Sequence, residues 1–100
     1  MAVLGSMTLQ PNEIEDADMD FGDWLPLGDA VSDVQASARL LRGEPLPALV
    51  ADNVRVSMAN VCKVRLSGGA DGSKWRVQLQ LVTVSGLVKE GEFDVTVKEV

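Results

Sequence analysis

The chain has no histidine. That absence removes Ser-His-Asp and Cys-His catalysis and the commonest zinc ligand. It has one cysteine, Cys62, so no disulfide can form within the chain and no CxxC metal knuckle exists. Cys62 sits in the alternating run VCKVRL, the context of a small core residue rather than a nucleophile. No stretch approaches the roughly 18 uncharged apolar residues of a membrane span, so no membrane partner is expected. MAVLG at the start is too short for a signal peptide and lacks a basic n-region, which leads to the expectation of a protein assembled in a cytoplasm. Lys and Arg are missing altogether from residues 11–33. Phosphate binding needs them clustered, so nucleic acid is not an expected partner.

What is present is enough for one small domain of 100 residues. Its net charge of −6 is unevenly placed. Residues 11–33 hold Glu13, Glu15, Asp16, Asp18, Asp20, Asp23, Asp29 and Asp33, whereas residues 34–100 hold all nine basic residues and seven acids. The acidic stretch also carries Ile14, Met19, Phe21, Trp24, Leu25 and Leu27, which a purely solvating tail would not. Phe21 and Trp24 either cap an open end of the core or anchor a partner. No sustained periodicity marks residues 1–29, which are expected as an extended N-terminal arm that docks on a partner.

From residue 30 the apolar period is two. Val34, Ala36, Ala38 and Leu40 form one strand face, although DAVSDVQASARLL is Ala-rich enough to read as an amphipathic helix. Further faces are Val54, Val56 and Met58, then Cys62, Val64 and Leu66, then Trp75, Val77, Leu79 and Leu81, and finally Phe93, Val95 and Val97. Asn60 breaks the pattern between two of them. RGEPLPALVAD, with two prolines, reads as a loop or irregular edge. About five strands at roughly 8–12-residue spacing indicate a sandwich or barrel. The expected fold is all-β, a small Ig-like antiparallel β-sandwich over residues 30–100 carrying an acidic arm over residues 1–29. The expected core includes Val34, Val56, Val64, Leu66, Val77, Leu79, Phe93 and Val95.

LSGGADGSKW, residues 66–75, has the glycines of a phosphate loop but no helix pattern after it and no Gly-Lys-Ser/Thr. It reads as a hairpin connection. Asp71-Gly72 supplies the turn and Gly68-Gly69 a bulge or bend, so all four are expected as structural turn residues. EDADMDFGD resembles a calcium loop beginning at Asp16, but Phe21 stands where glycine is required and Leu27 where Glu is. Acids gathered in a segment without regular structure cannot hold catalytic geometry. No enzyme activity, catalytic residue, metal site or cofactor is expected.

These residues carry a family resemblance. The chain resembles the small phage fiber-tail adaptor proteins among the virion structural genes of tailed phages. The likeness rests on Asp20-Phe21, Trp24-Leu25, Gly28-Asp29, Leu66-Ser67-Gly68-Gly69 with Gly72 and Trp75, Thr83 to Gly86, and Phe93 to Val97, and it covers about residues 13–100. Trp75 replaces an expected tyrosine, and residues 1–12 have no counterpart. The resemblance implies a non-enzymatic virion protein that joins tail or fiber components at the tail or head-tail junction. Its partners would be other tail, fiber, adaptor or portal components, met in multiple copies of a symmetric assembly. Asp20, Phe21, Trp24 and Leu25 are the expected partner-binding residues. Two other readings stay open: an acidic inhibitor that mimics DNA, and a carbohydrate-binding sandwich, for which only Trp24 and Trp75 could serve.

Overall fold

Alternation of apolar and polar side chains favours strands, and the described residues form seven. The computed structural model describes residues 2–57 and 60–99. In chain order the strands are β1 (Ala2–Leu9), β2 (Ile14–Asp20), β3 (Val31–Arg42), β4 (Leu49–Val56), β5 (Val61–Gly68), β6 (Lys74–Thr83) and β7 (Val88–Val97). A 3-10 turn spans Gly22–Trp24. One sheet has the order β1-β7-β6-β3 and the other β2-β5-β4. Their inner faces form a single core. β6 contributes Trp75, Val77, Leu79 and Leu81, β7 contributes Phe93, Val95 and Val97, and β5 contributes Cys62, Val64 and Leu66. Burial pushes the Cys62 thiol up to about 11, which keeps it neutral and unreactive.

The Ala-rich segment is strand. β3 pairs with β6 from Val31 opposite Thr83 to Arg42 opposite Lys74, and this cross-strand partner outweighs alanine's helix preference.

Four expectations need correction. Residues 2–29 are not an arm apart from the sandwich. β1 lies along β7 and β2 along β5, and Leu9, Met19 and Phe21 are buried in the shared core. Asp16, Asp18 and Asp20 lie on the outward face of β2, while Ala17 and Met19 turn inward. The sandwich is also not wholly antiparallel, since β1 and β7 run parallel. A parallel pair needs a long crossover, and the whole of β2 to β6 supplies it.

Val56 is 39% exposed rather than core. It stands opposite Cys62 at the last position of an edge strand, after a bulge between Asp52 and Arg55 where Asn53 has φ 47°, so cover reaches it from one side only. Met58 lies outside the described residues. Finally, LSGGADGSKW is not a hairpin. β5 and β6 belong to different sheets, and the loop carries the chain across the end of the sandwich from one sheet to the other.

Candidate functional site

Residues 21–30 make the second passage between sheets, from β2 to β3, and so cover one end of the sandwich. The Phe21 N–H donates to the Asn60 carbonyl at 3.1 Å, and the Asn60 Oδ1 accepts from the Val31 N–H at 3.0 Å. Asn60 thereby pins both ends of the passage, and it does so in the left-handed region at φ 65°, which Asn tolerates better than most residues. The Phe21 ring is fully buried. A Cβ at Gly91 would come within 3.2 Å of it and 2.8 Å of the Met19 sulfur, so glycine there is what lets β7 approach.

The 3-10 turn sets Trp24 over Phe21. Asp20 Oδ1 accepts from the Gly22 N–H at 2.8 Å, and the Trp24 N–H donates to the Phe21 carbonyl at 3.0 Å. The two rings meet edge to face, 5.3 Å between centroids at 87°, an arrangement favoured by aromatic quadrupoles. Trp24 and Leu25 are half-buried against the core margin. Of the four residues expected at a partner surface, Asp20, Trp24 and Leu25 are accessible and Phe21 is not.

The chain then turns at Pro26–Asp29, where the Asp29 N–H donates to the Pro26 carbonyl at 3.0 Å. The Asp29 carboxylate ties this turn to the β6–β7 hairpin. Its Oδ1 accepts from the N–H groups of Ala30 at 2.9 Å and Ser85 at 3.1 Å, and its Oδ2 from the Ser85 hydroxyl at 2.6 Å. Ser85 has one hydroxyl proton and gives it to Asp29. The 3.2 Å contact between the Ser85 and Thr83 hydroxyls is therefore donated by Thr83, whose oxygen accepts from the Leu87 N–H at 3.0 Å. This relay runs from Leu87 through Thr83 and Ser85 to Asp29. The Ser85 hydroxyl is the main reason the Asp29 carboxyl is held down at about 2. Neither Asn60 nor the Asp29–Ser85 tether was anticipated from the sequence, although Gly28-Asp29 and Thr83 to Gly86 are both part of the family resemblance.

Two of the acids of β2, Asp16 and Asp18, are paired with cations within the chain. Asp16 meets Arg55 and Arg65, each at 3.1 Å, and Asp18 meets Lys63 at 3.0 Å. The Arg65 guanidinium is the main cause that draws the Asp16 carboxyl below the usual carboxylate range. With Asp16 and Asp18 engaged by cations and Asp20 capping Gly22, the calcium-like spacing builds no shared ligand set.

An open groove of about 530 Å³ lies between the edge strands β1 and β2, lined by Met7, Met19 and Phe93 with Asp18 and Asp20. Those two carboxylates are its only ionisable groups among the described residues. Trp75 is buried, and its indole N–H donates to the Ser73 hydroxyl at 2.8 Å, which removes it as a sugar-stacking platform.

At the opposite end, glycines do the work. Gly69 has φ +90°, and a Cβ there would meet the Val97 Cγ2 at 2.6 Å. Its N–H donates to the Ala48 carbonyl at 3.2 Å, and the Gly72 N–H to the Val97 carbonyl at 2.7 Å. Asp71 and Gly72 are the central residues of a turn closed by the Ser73 N–H on the Ala70 carbonyl at 3.0 Å, with φ +85° at Gly72.

The family profile of the podophage GP4 fiber-tail adaptor protein gp77 matches residues 9–96. The chain belongs to this family. The fiber-tail adaptor match runs from the last residue of β1 almost to the end of β7. It takes in the Trp24–Asp29 passage, the LSGG crossover and the Thr83–Gly86 hairpin turn. The chain is thus a member of a family of structural phage adaptors. No curated protein matches it.

Proposed function

We propose that this chain is a non-enzymatic adaptor of a tailed-phage virion, joining tail and fiber components at the tail or head-tail junction. It works in several copies of a symmetric assembly put together in the host cytoplasm. The observation that carries this reading is the fiber-tail adaptor family match over residues 9–96. The fold supports it, because separate residues of the likeness converge on one end of the sandwich. There Asp29 of the passage bonds Ser85 of the hairpin.

In this reading Asp20, Trp24 and Leu25 meet a neighbouring virion protein, and Phe21 supports Trp24 from beneath. Apolar burial supplies most of the affinity, and the acids orient the encounter with a basic surface. A DNA mimic is disfavoured by the pairing of Asp16 and Asp18 with Arg55, Arg65 and Lys63.

Mass analysis of purified particles tests the reading. Presence of the chain in stoichiometric amount is expected, and its absence favours the inhibitor. Trp24→Ala is expected to give folded protein that fails to enter particles. If that variant leaves no soluble protein, Trp24 belongs to the core cap and the docking role loses its anchor.

A further inference from the structure

The end that carries the Asp29 relay also carries a patch of exposed apolar side chains. In the β6–β7 ladder the outward pairs are Lys74–Thr96, Arg76–Asp94, Gln78–Glu92 and Gln80–Glu90. All are polar until the last one, Val82–Val88, where the two side chains are 40% and 58% exposed. Val84 and Leu87 flank the turn beyond, at 73% and 40%. Leu27, in the turn tethered to this hairpin through Asp29 and Ser85, is fully exposed.

Single exposed apolar residues need no explanation, but a contiguous group bordering a polar sheet face marks an interaction surface. The two loops that present it are held by the relay of hydrogen bonds. The surface is therefore preformed, and binding forfeits little ordering entropy.

The charge around the patch limits what can cover it. Residues 21–33 and 82–88 contain no Lys or Arg, and Asp23, Asp29 and Asp33 lie among them. Two copies of the chain meeting through this end would bring carboxylates against carboxylates. Like charges across an interface suppress that pairing, while a surface of opposite sign is drawn in. We infer that the hairpin tip, with Leu27, docks on a different virion protein through an apolar surface rimmed by Lys and Arg. This deepens the adaptor reading and rests on it, and it makes the β6–β7 hairpin, rather than the N-terminal passage alone, the main contact.

The experiment uses phage particles assembled with this chain. A photo-cross-linking benzoylphenylalanine is placed at Val84 and, in a second preparation, at Gln35 on the outward face of β3. The expected product is a cross-link from position 84 to a different virion protein, at a peptide containing Lys or Arg, with none from position 35. A cross-link from position 84 to a second copy of the chain, or no cross-link there, overturns the inference while the chain's presence in particles leaves the adaptor reading standing. Absence of the unmodified chain from particles defeats both. In parallel, Val84→Asp with Leu87→Asp is expected to lower incorporation roughly tenfold or more while the circular dichroism spectrum stays unchanged. Wild-type incorporation of that folded variant overturns the inference, and if the double variant fails to fold, the cross-link decides.

Discussion

At one end of the sandwich Gly69 sits so close to β7 that a Cβ would strike Val97 at 2.6 Å. At the other, Leu27 touches solvent on every side and Val84 nearly so. The twelve residues of β3, at roughly 3.3 Å each, set the ends about 40 Å apart, in keeping with a longest dimension of 42 Å. Both ends carry the chain between sheets, but by different means. The LSGG end rests chiefly on glycines at positive φ and main-chain hydrogen bonds, with Asp71 Oδ1 accepting from the Glu99 N–H at 2.9 Å and the Trp75 indole donating to the Ser73 hydroxyl at 2.8 Å. The Trp24–Asp29 end uses side chains, with Asp20, Asp29, Asn60, Thr83 and Ser85 each bonding backbone or one another. An end closed by close approach has little room for change at Gly69, although Ile14 and Leu46 stay exposed near it. An end closed by polar tethers can leave its apolar residues facing outward. The difference separates an end closed mainly by glycine backbone from one closed mainly by side-chain tethers.

The largest test of that contrast is Gly69→Val. Strain at positive φ and the clash with Val97 together are expected to cost roughly 3–5 kcal/mol, seen as loss of the folded state or a large fall in denaturant midpoint. An unchanged midpoint would contradict the close approach. Trp24→Ala, at the other end, removes a half-buried ring and its edge-to-face contact and is expected to cost roughly 2–3 kcal/mol. A loss as large as at Gly69 would mean that both ends serve stability equally. Gly72→Ala comes next. A Cβ there meets nothing within 4 Å, but φ is +85°, so strain alone remains, about 1 kcal/mol. A larger loss would point to a contact at the turn that open space does not provide.

The Asp29 tether is expected to show in pH dependence. Its carboxyl is lowered from the usual value to about 2, so the folded state favours the ionised form. The stability this contributes is present above about pH 4 and lost as pH falls toward 2. Melting temperatures of the wild type and Asp29→Asn should therefore differ most near pH 5 and converge near pH 2. A gap of constant size would assign Asp29 no electrostatic part. The smallest effect is expected at Leu27→Ser, within about 0.5 kcal/mol of wild type. A clear loss of thermal stability there would show that the exposed turn supports the fold after all.

The middle of the molecule was legible in the sequence because period two survives wherever a strand has neighbours on both sides or a full inner face. β5, β6 and β7 place Val64, Leu66, Val77, Leu79, Phe93 and Val95 inside as the alternation requires. β1 and β2 were not legible as strands. On β2 the inward residues are the small Ala17 and the flexible Met19, Ile14 is exposed, and the acids between them resemble a solvated tail. Only cross-strand cations supplied by β4 and β5, far along the chain, make that row of acids a sheet face. The same holds at the candidate site. Trp24 and Leu25 stood out by residue type, and their half-burial agrees with a margin position. The contribution of Asn60 and of the Asp29–Ser85 tether depends on pairing across 29 and 56 residues of sequence, which no local spacing displays. The LSGG loop was read as a hairpin, because a turn sequence specifies a reversal and not which sheet the next strand joins.

The parallel pairing of β1 with β7, Ala2 beside Gly91 and Leu9 beside Val97, also governs the order of events during synthesis. β1 leaves the ribosome first and has no strand to pair with until β7 has followed. Until then Leu9 has no Val97 beside it, and the β6 edge that will receive β7 stays open. The four-stranded sheet can close only after translation has passed Val97, so folding is a late, cooperative event dominated by contacts distant in sequence. Such topologies fold on the slow, millisecond-to-second side of the two-state range. During that interval the nascent chain shows unpaired strand edges, the kind that invite association with other chains.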